Sequence, residues 1–204
     1  STKKYLIYGK NSFKIRNKYR RVSPAFISNF LFIKNLPFIS GWGSYKEMDE
    51  KDWIELLSIL KKNKVILNVA ITACWVEKDG SLTRFDKKFP KSCEVIKQGI
   101  KDDLIYILNH GLTHCIPGKH LPLLFKSNQK FHREFNDFLT LEDQTHHLES
   151  SQNIINDIFG EYPDIFVPPG NVYNENTLKA LNRVGLKYIQ CHRNITNEPT
   201  QPTD

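Results

Sequence analysis

The chain is 204 residues long, room for one sizeable domain and little for two, so a single domain over 1–204 is expected. With 40% hydrophobic, 12% aromatic and 25% charged residues, disordered, collagen-like and coiled-coil polypeptides are excluded. The net charge of +7 leaves a polyanionic partner open, but it is spread unevenly along the chain.

Residues 1–21 carry eight Lys or Arg and no acid, whereas the remaining residues are close to neutral. Around the strand-like YLIY, this basic segment reads first as a solvated edge. It also permits peripheral contact with a phospholipid surface or a sugar-phosphate carrier. Nucleic-acid binding through Lys14, Arg16, Lys18, Arg20 and Arg21 is disfavoured, because no aromatics are interleaved with base-reading side chains.

FLFIK at 30–34 reads as a strand. A helix is expected over 48–61, with Trp53, Leu56, Leu57 and Leu60 on one face. KVILNVAIT, 64–72, is a β-branched run of the kind buried on both faces of a parallel sheet. Its apolar neighbourhood, 65–76, is broken by Asn68 and Thr72 and falls short of the ~20 residues a membrane helix needs. Pro90 suits the first turn of a helix reaching Gly99, and LIYILNH, 104–110, is a further buried strand. Thr140 and Asp143 form a capping-box pattern ahead of a helix striped by Leu141, Leu148, Ile155, Ile158 and Phe159 and ended by Gly160. His146 and His147, inside that helix, read as exposed. DIFVPP is a strand stopped by prolines. Asn174 caps a last helix closed by Gly185, before the strand KYIQC. The tail from about 194 to 204 reads as flexible.

Strands alternating with helices imply an α/β fold with a mainly parallel sheet, open or closed into a barrel. The four cysteines, Cys74, Cys93, Cys115 and Cys191, form no CxxC pair and read as reduced small hydrophobes, which suits a cytoplasmic setting. The absence of an apolar signal-peptide core at the N-terminus points the same way.

In such folds the chemistry lies at the carboxyl ends of the strands. Two segments stand there, HGLTH after LIYILNH and VPPGN after DIFVPP. His110 and His114 present two imidazoles at a spacing that suits one divalent metal, and equally suits a hydrogen-bonded histidine pair. His110, His114 and His120 also reproduce the histidine intervals of a zinc endopeptidase helix. That reading fails, because the required Glu is replaced by Gly111 and Pro117 interrupts the helix. A third segment, REF at 133–135, contains Arg133, suited to a carboxylate or phosphate, and Glu134, suited to a sugar hydroxyl or to service as a base. A surface ion pair is the plainer alternative.

The order of these features resembles the polysaccharide deacetylase family, the NodB-homology group of carbohydrate esterases. The resemblance runs from about Leu57 to Ile189. It rests on a buried strand, His-x-x-x-His, a helix ending in Phe159 and Gly160, a strand into Pro168–Pro169, and the helix holding Thr177, Leu178, Leu181 and Gly185. It implies a distorted or incomplete (β/α) barrel, TIM-barrel-like, in which the paired histidines and an aspartate hold a divalent metal, usually zinc. The implied activity is hydrolysis of an N- or O-acetyl group from a sugar. His110 and His114 are the implied metal ligands, and Glu134 is the candidate base. Pro169, Gly170 and Asn171 form the candidate oxyanion loop, and Asn35 and Arg133 are the candidate substrate contacts. Such chemistry needs a Lewis acid and a water whose pKa it lowers, to ~7 on zinc.

The chain departs from the family at the first strand end, where two aspartates are replaced by Lys34–Asn35. Val167 stands for the arginine that often precedes the proline loop, and His192 is a poor substitute for the late-strand histidine. Two functions follow. One is a metal-dependent deacetylase acting on an acetylated precursor of a surface polysaccharide. The other is a non-catalytic relative that binds carbohydrate or a partner protein.

Overall fold

The structure, a computed structural model, describes residues 13–15, 18–20, 48–77, 79–120 and 129–191. The backbone groups into two compact units, residues 1–47 with 122–128 and residues 48–121 with 129–204. In the first, β1 (Phe13–Ile15) pairs antiparallel with β2 (Lys18–Arg20), Phe13 opposite Arg20. The expected strands at YLIY and 30–34, Asn35, His192 and the tail from 194 lie outside the described residues.

The second unit opens with α1 (Glu50–Asn63), whose N-cap Asp49 accepts from the amides of Lys51 and Asp52 while Asp52 bonds back to the Asp49 amide. These two acids are therefore explained by capping. Then come β3 (Leu67–Ile71), a hairpin of β4 (Cys74–Val76) and β5 (Leu82–Arg84), and the single turn α2 (Phe85–Lys88). α3 (Pro90–Lys101) begins on Pro90, as expected, and leads into β6 (Ile105–Asn109). α4 (Leu141–Phe159) is capped by the Thr140–Asp143 box and closed by Gly160 in the left-handed region. β7 (Ile165–Phe166), α5 (Glu175–Val184, capped by Asn174 and closed by Gly185) and β8 (Tyr188–Ile189) complete the chain.

β3, β6, β7 and β8 form one parallel sheet in that order. The spatial order follows the chain order with no reversal. Right-handed crossovers then all pass over the same face, which is the winding of a (β/α) barrel rather than of a doubly wound sheet. Four parallel strands fit the expected α/β fold as an incomplete barrel.

Two apolar clusters line the helix-covered face. One gathers Val69, Ile71, Ile105 and Ile107 with Ile96 of α3 and Ile155 of α4, with Trp53 and Leu57 of α1 packed against it. The other joins Phe135, Leu148, Phe166, Ala180, Leu181 and Leu186. The expectation that β3 is buried on both faces is corrected. Val69 and Ile71 are buried, whereas Asn68 and Ala70 are exposed, as is Tyr106 opposite Asn68. The helices cover only the face that carries the first pair. Cys74, Cys93 and Cys115 are buried free thiols and Cys191 is half-buried and free, in keeping with their reading as hydrophobes. No helix among the described residues is long and apolar enough to cross a membrane.

Candidate functional site

Parallel strands place their carboxyl ends on one side, and the candidate segments meet there. The His110 amide donates to Ile71 O at 2.9 Å, and the amides of Ala73 and Cys74 donate to Gly111 O and Leu112 O. The Val167 amide donates to Asn109 O at 2.8 Å. The exits of β3, β6 and β7 are thereby stitched around the histidine turn.

His110 is held from the β7 side: its Nδ1 lies 2.6 Å from Val167 O. A carbonyl can only accept, so Nδ1 carries the proton and Nε2 keeps its lone pair. Burial pushes the His110 pKa down to about 4, with the neighbouring His114 ring adding to the effect. The ring is therefore neutral near pH 7, the form that ligates a metal. His114 is likewise pushed down, mainly by burial, and its φ of 60° puts it in a region few side chains adopt.

The two ring centroids are 5.0 Å apart with planes at 65°. This separation fits two imidazoles converging on one ion with metal–nitrogen bonds of ~2.0–2.1 Å. The donors therefore fit two positions of a divalent-metal site. Among the described residues no set of three or more His, Cys, Asp or Glu gathers as a metal site. Burial pushes the Cys115 thiol up to about 12, so the neighbouring sulfur is an inert thiol near pH 7.

The other two candidate segments also converge. Pro169–Asn171 forms a single 3₁₀ turn in which Gly170 has φ 67° and the Asn171 amide donates to Pro168 O at 2.9 Å. A Cβ on Gly170 would sit 3.1 Å from Arg133 Cγ, so the Arg133 side chain lies along the bare backbone of this loop. Arg133 is exposed, and no ion pair holds its guanidinium among the described residues.

Glu134 points the opposite way and is fully buried. Oε1 accepts from the Leu112 amide at 3.0 Å, and Oε2 accepts from Thr113 at 3.1 Å and His114 at 2.8 Å. His147 Nδ1 lies 2.7 Å from Oε1. The reading of His147 as exposed is corrected: its side chain is 17% accessible and reaches in from α4, whereas His146 is exposed. The histidine pair sits at adjacent positions of a helix, so one ring faces out and the other is drawn in by a carboxylate from a distant segment.

Asn109 was also missed. It is fully buried at the end of β6, accepts from the Gly111 amide at 2.8 Å and donates to Ser151 Oγ and Gln152 Oε1 of α4. Its signal was a polar residue ending an otherwise apolar strand.

A search among curated proteins finds no match. Solved structures that resemble the chain include a CE4 family pseudoenzyme from Bacillus anthracis, with 16% identity and a TM-score of 0.48 over 71% of this chain and 40% of that one. IcaB from Ammonifex degensii gives 16% and 0.46 over 71% and 56%. A family 4 acetyl xylan esterase from Clostridium thermocellum, in complex with a cobalt ion, gives 12% and 0.44 over 66% and 50%. The chain therefore spans about half the length of these proteins or less. A polysaccharide deacetylase family model matches residues 42–189, most of the chain, including the histidine turn, the REF segment and the proline loop. The chain belongs to the polysaccharide deacetylase family.

Proposed function

We propose that this protein is a metal-dependent deacetylase that removes an acetyl group from a sugar of a surface-polysaccharide precursor. The observation that carries the reading is His110. Its Nδ1–H donates to Val167 O, which leaves the lone pair on a neutral Nε2, and the His114 ring lies 5.0 Å away, centroid to centroid. Outer hydrogen bonds of this kind orient the ligating nitrogen of metal-binding histidines.

His110 and His114 would hold a divalent ion, zinc being the best match to paired imidazoles. When bound, such an ion supplies Lewis acidity toward the acyl carbonyl and lowers the pKa of a water. Arg133, exposed along the Gly170 backbone, would bind a hydroxyl or an anionic substituent of the sugar. Pro169, Gly170 and Asn171 would border the acyl oxygen, with prolines limiting the loop's motion. Asn35, expected among the substrate contacts from the sequence, lies outside the described residues.

Elemental analysis and zinc titration of the wild type and His110→Ala test this reading. Stoichiometric zinc that is lost in the variant supports it, and acetylated sugars are then the substrates to screen. No uptake at micromolar zinc overturns it.

One observation favours a second reading, a non-catalytic domain that binds carbohydrate or a partner protein. Among the described residues the two histidines have no third ligand, and the nearest carboxylate, Glu134, is already occupied by hydrogen bonds. Zinc-free protein that still binds acetylated sugars would support this alternative.

A further inference from the structure

We infer that Glu134 is the positioning residue of the histidine turn, an internal hydrogen-bond acceptor around which residues 111–114 fold, and not the group that exchanges protons with substrate. Three backbone amides in succession, those of Leu112, Thr113 and His114, converge on its carboxylate, and His147 supplies a fourth contact. A carboxylate offers about four lone-pair positions. Oε1 uses two, on Leu112 and His147, and Oε2 uses two, on Thr113 and His114. Nothing remains for a substrate proton or a metal unless one of these bonds is given up.

The backbone of the turn is shaped to the same end. Gly111 has φ 81°, and a Cβ there would overlap Glu134 Oε2 and lie 2.8 Å from Phe135 Cε2. His114, at φ 60°, holds a conformation that costs energy in isolation and that the hydrogen bond its backbone N–H donates to Glu134 helps to retain. Glu134 is fixed in turn by the next residue. Phe135 is fully buried and meets Phe166 edge to face at 4.9 Å. The second apolar cluster thus carries the carboxylate to its place, the carboxylate sets the turn, and the turn sets the direction of His114. His147 brings α4 into the same assembly.

Two consequences follow for the site. The amides of 112–114 are consumed, so donors to a developing oxyanion come from elsewhere. The proton acceptor of any hydrolysis is also a residue other than Glu134. The part of the inference that concerns metal affinity rests on the reading of His110 and His114 as ligands. The anchoring of the turn does not.

The test uses the full chain and the variants Glu134→Gln, Glu134→Asp and His147→Gln. Two readouts are taken: amide hydrogen exchange in the peptide covering 110–116, and zinc affinity by chelator competition. In Glu134→Gln one acceptor becomes a donor facing the amides. Exchange in 110–116 is expected to accelerate at least ~10-fold while α5 keeps its protection, and zinc affinity to fall ~10–100-fold. Glu134→Asp, which keeps the charge, should recover part of both. Unchanged exchange in Glu134→Gln overturns the anchoring, and accelerated exchange with unchanged zinc affinity overturns the positioning. A Glu134→Gln protein with a protected turn and intact zinc binding that has lost only turnover would make Glu134 the base, and would overturn the inference. If Glu134→Gln does not fold, His147→Gln decides, since it removes one contact of four: a few-fold faster exchange at 110–116 supports the anchor and no change refutes it. A wild type that takes up no zinc counts against the deacetylase reading alone, because exchange still reports on the anchor.

Discussion

At the scale of single residues, Gly111 is the most constrained position of the site. Any side chain there meets both a positive φ and the Glu134 carboxylate. Gly111→Ala is therefore expected to destabilise the protein by about 2–4 kcal/mol, combining left-handed strain with overpacking. Urea unfolding measures it, and a loss under ~0.5 kcal/mol would contradict the packing described. A second residue-scale prediction concerns Tyr106, whose hydroxyl donates to Asp164 at 2.6 Å. That hydrogen bond, with burial and the carboxylate's charge adding to it, raises the phenol pKa to about 12. The unfolded chain loses this proton first, so the contribution to stability is present below about pH 10 and lost as pH rises toward 12. In an absorbance titration, Asp164→Asn should move one tyrosine transition back toward ~10. A titration curve identical to wild type would remove the pair.

At the scale of elements, helix ends were the most legible features. The Thr140–Asp143 box, the Asn174 cap, Pro90 in a first turn and the closing glycines 160 and 185 all lie where local chemistry puts them. Caps act through bonds three residues apart and need no tertiary partner. Thr140→Ala should cost about 1 kcal/mol, with Thr140→Ser close to neutral. Leu148→Ala on the same helix should cost about 2–5 kcal/mol, because Leu148 is fully buried in the second cluster. Equal losses from the two substitutions would mean that α4 is held by its cap rather than by its packing. The β4–β5 hairpin is marked in the sequence only by its turn residues Asp79–Gly80. Its strands are three residues each, too short for an alternation to register, and the Glu77 amide on Ser81 O and the Phe85 amide on Ala73 O join their two ends.

At the scale of the whole molecule, the parallel sheet assembles the candidate site. Sequential strands bring three loops to one side, and the site is the product of their meeting. A ligand that binds only the folded chain stabilises it by about 2.7 kcal/mol at a hundredfold excess over Kd. For a chain of this size, zinc in such excess should raise Tm by roughly 5–10 °C, and a chelator should reverse the shift. His110→Ala should show no shift. A zinc-dependent rise that persists in His110→Ala would place the ion elsewhere.

Residue types, periodicity and spacing determined the α/β class, the helix limits, the pair His110 and His114 and the proline loop, since each is a local pattern or the end of one. Tertiary structure alone decided what the neighbouring charges do. Arg133 and Glu134 are adjacent in the chain, yet one lies exposed along Gly170 and the other is buried under the histidine turn. Both lie in an irregular, bent stretch in which Glu134, Phe135 and Asn136 are all buried, and which side chain meets the turn depends on Phe135 packing against Phe166. His147 follows the same rule. Helical periodicity puts it at the edge of the buried face, beside Gln144 and Ser151, and His146 on the opposite side, but the partner that draws its ring inward is the buried carboxylate 13 residues away in sequence.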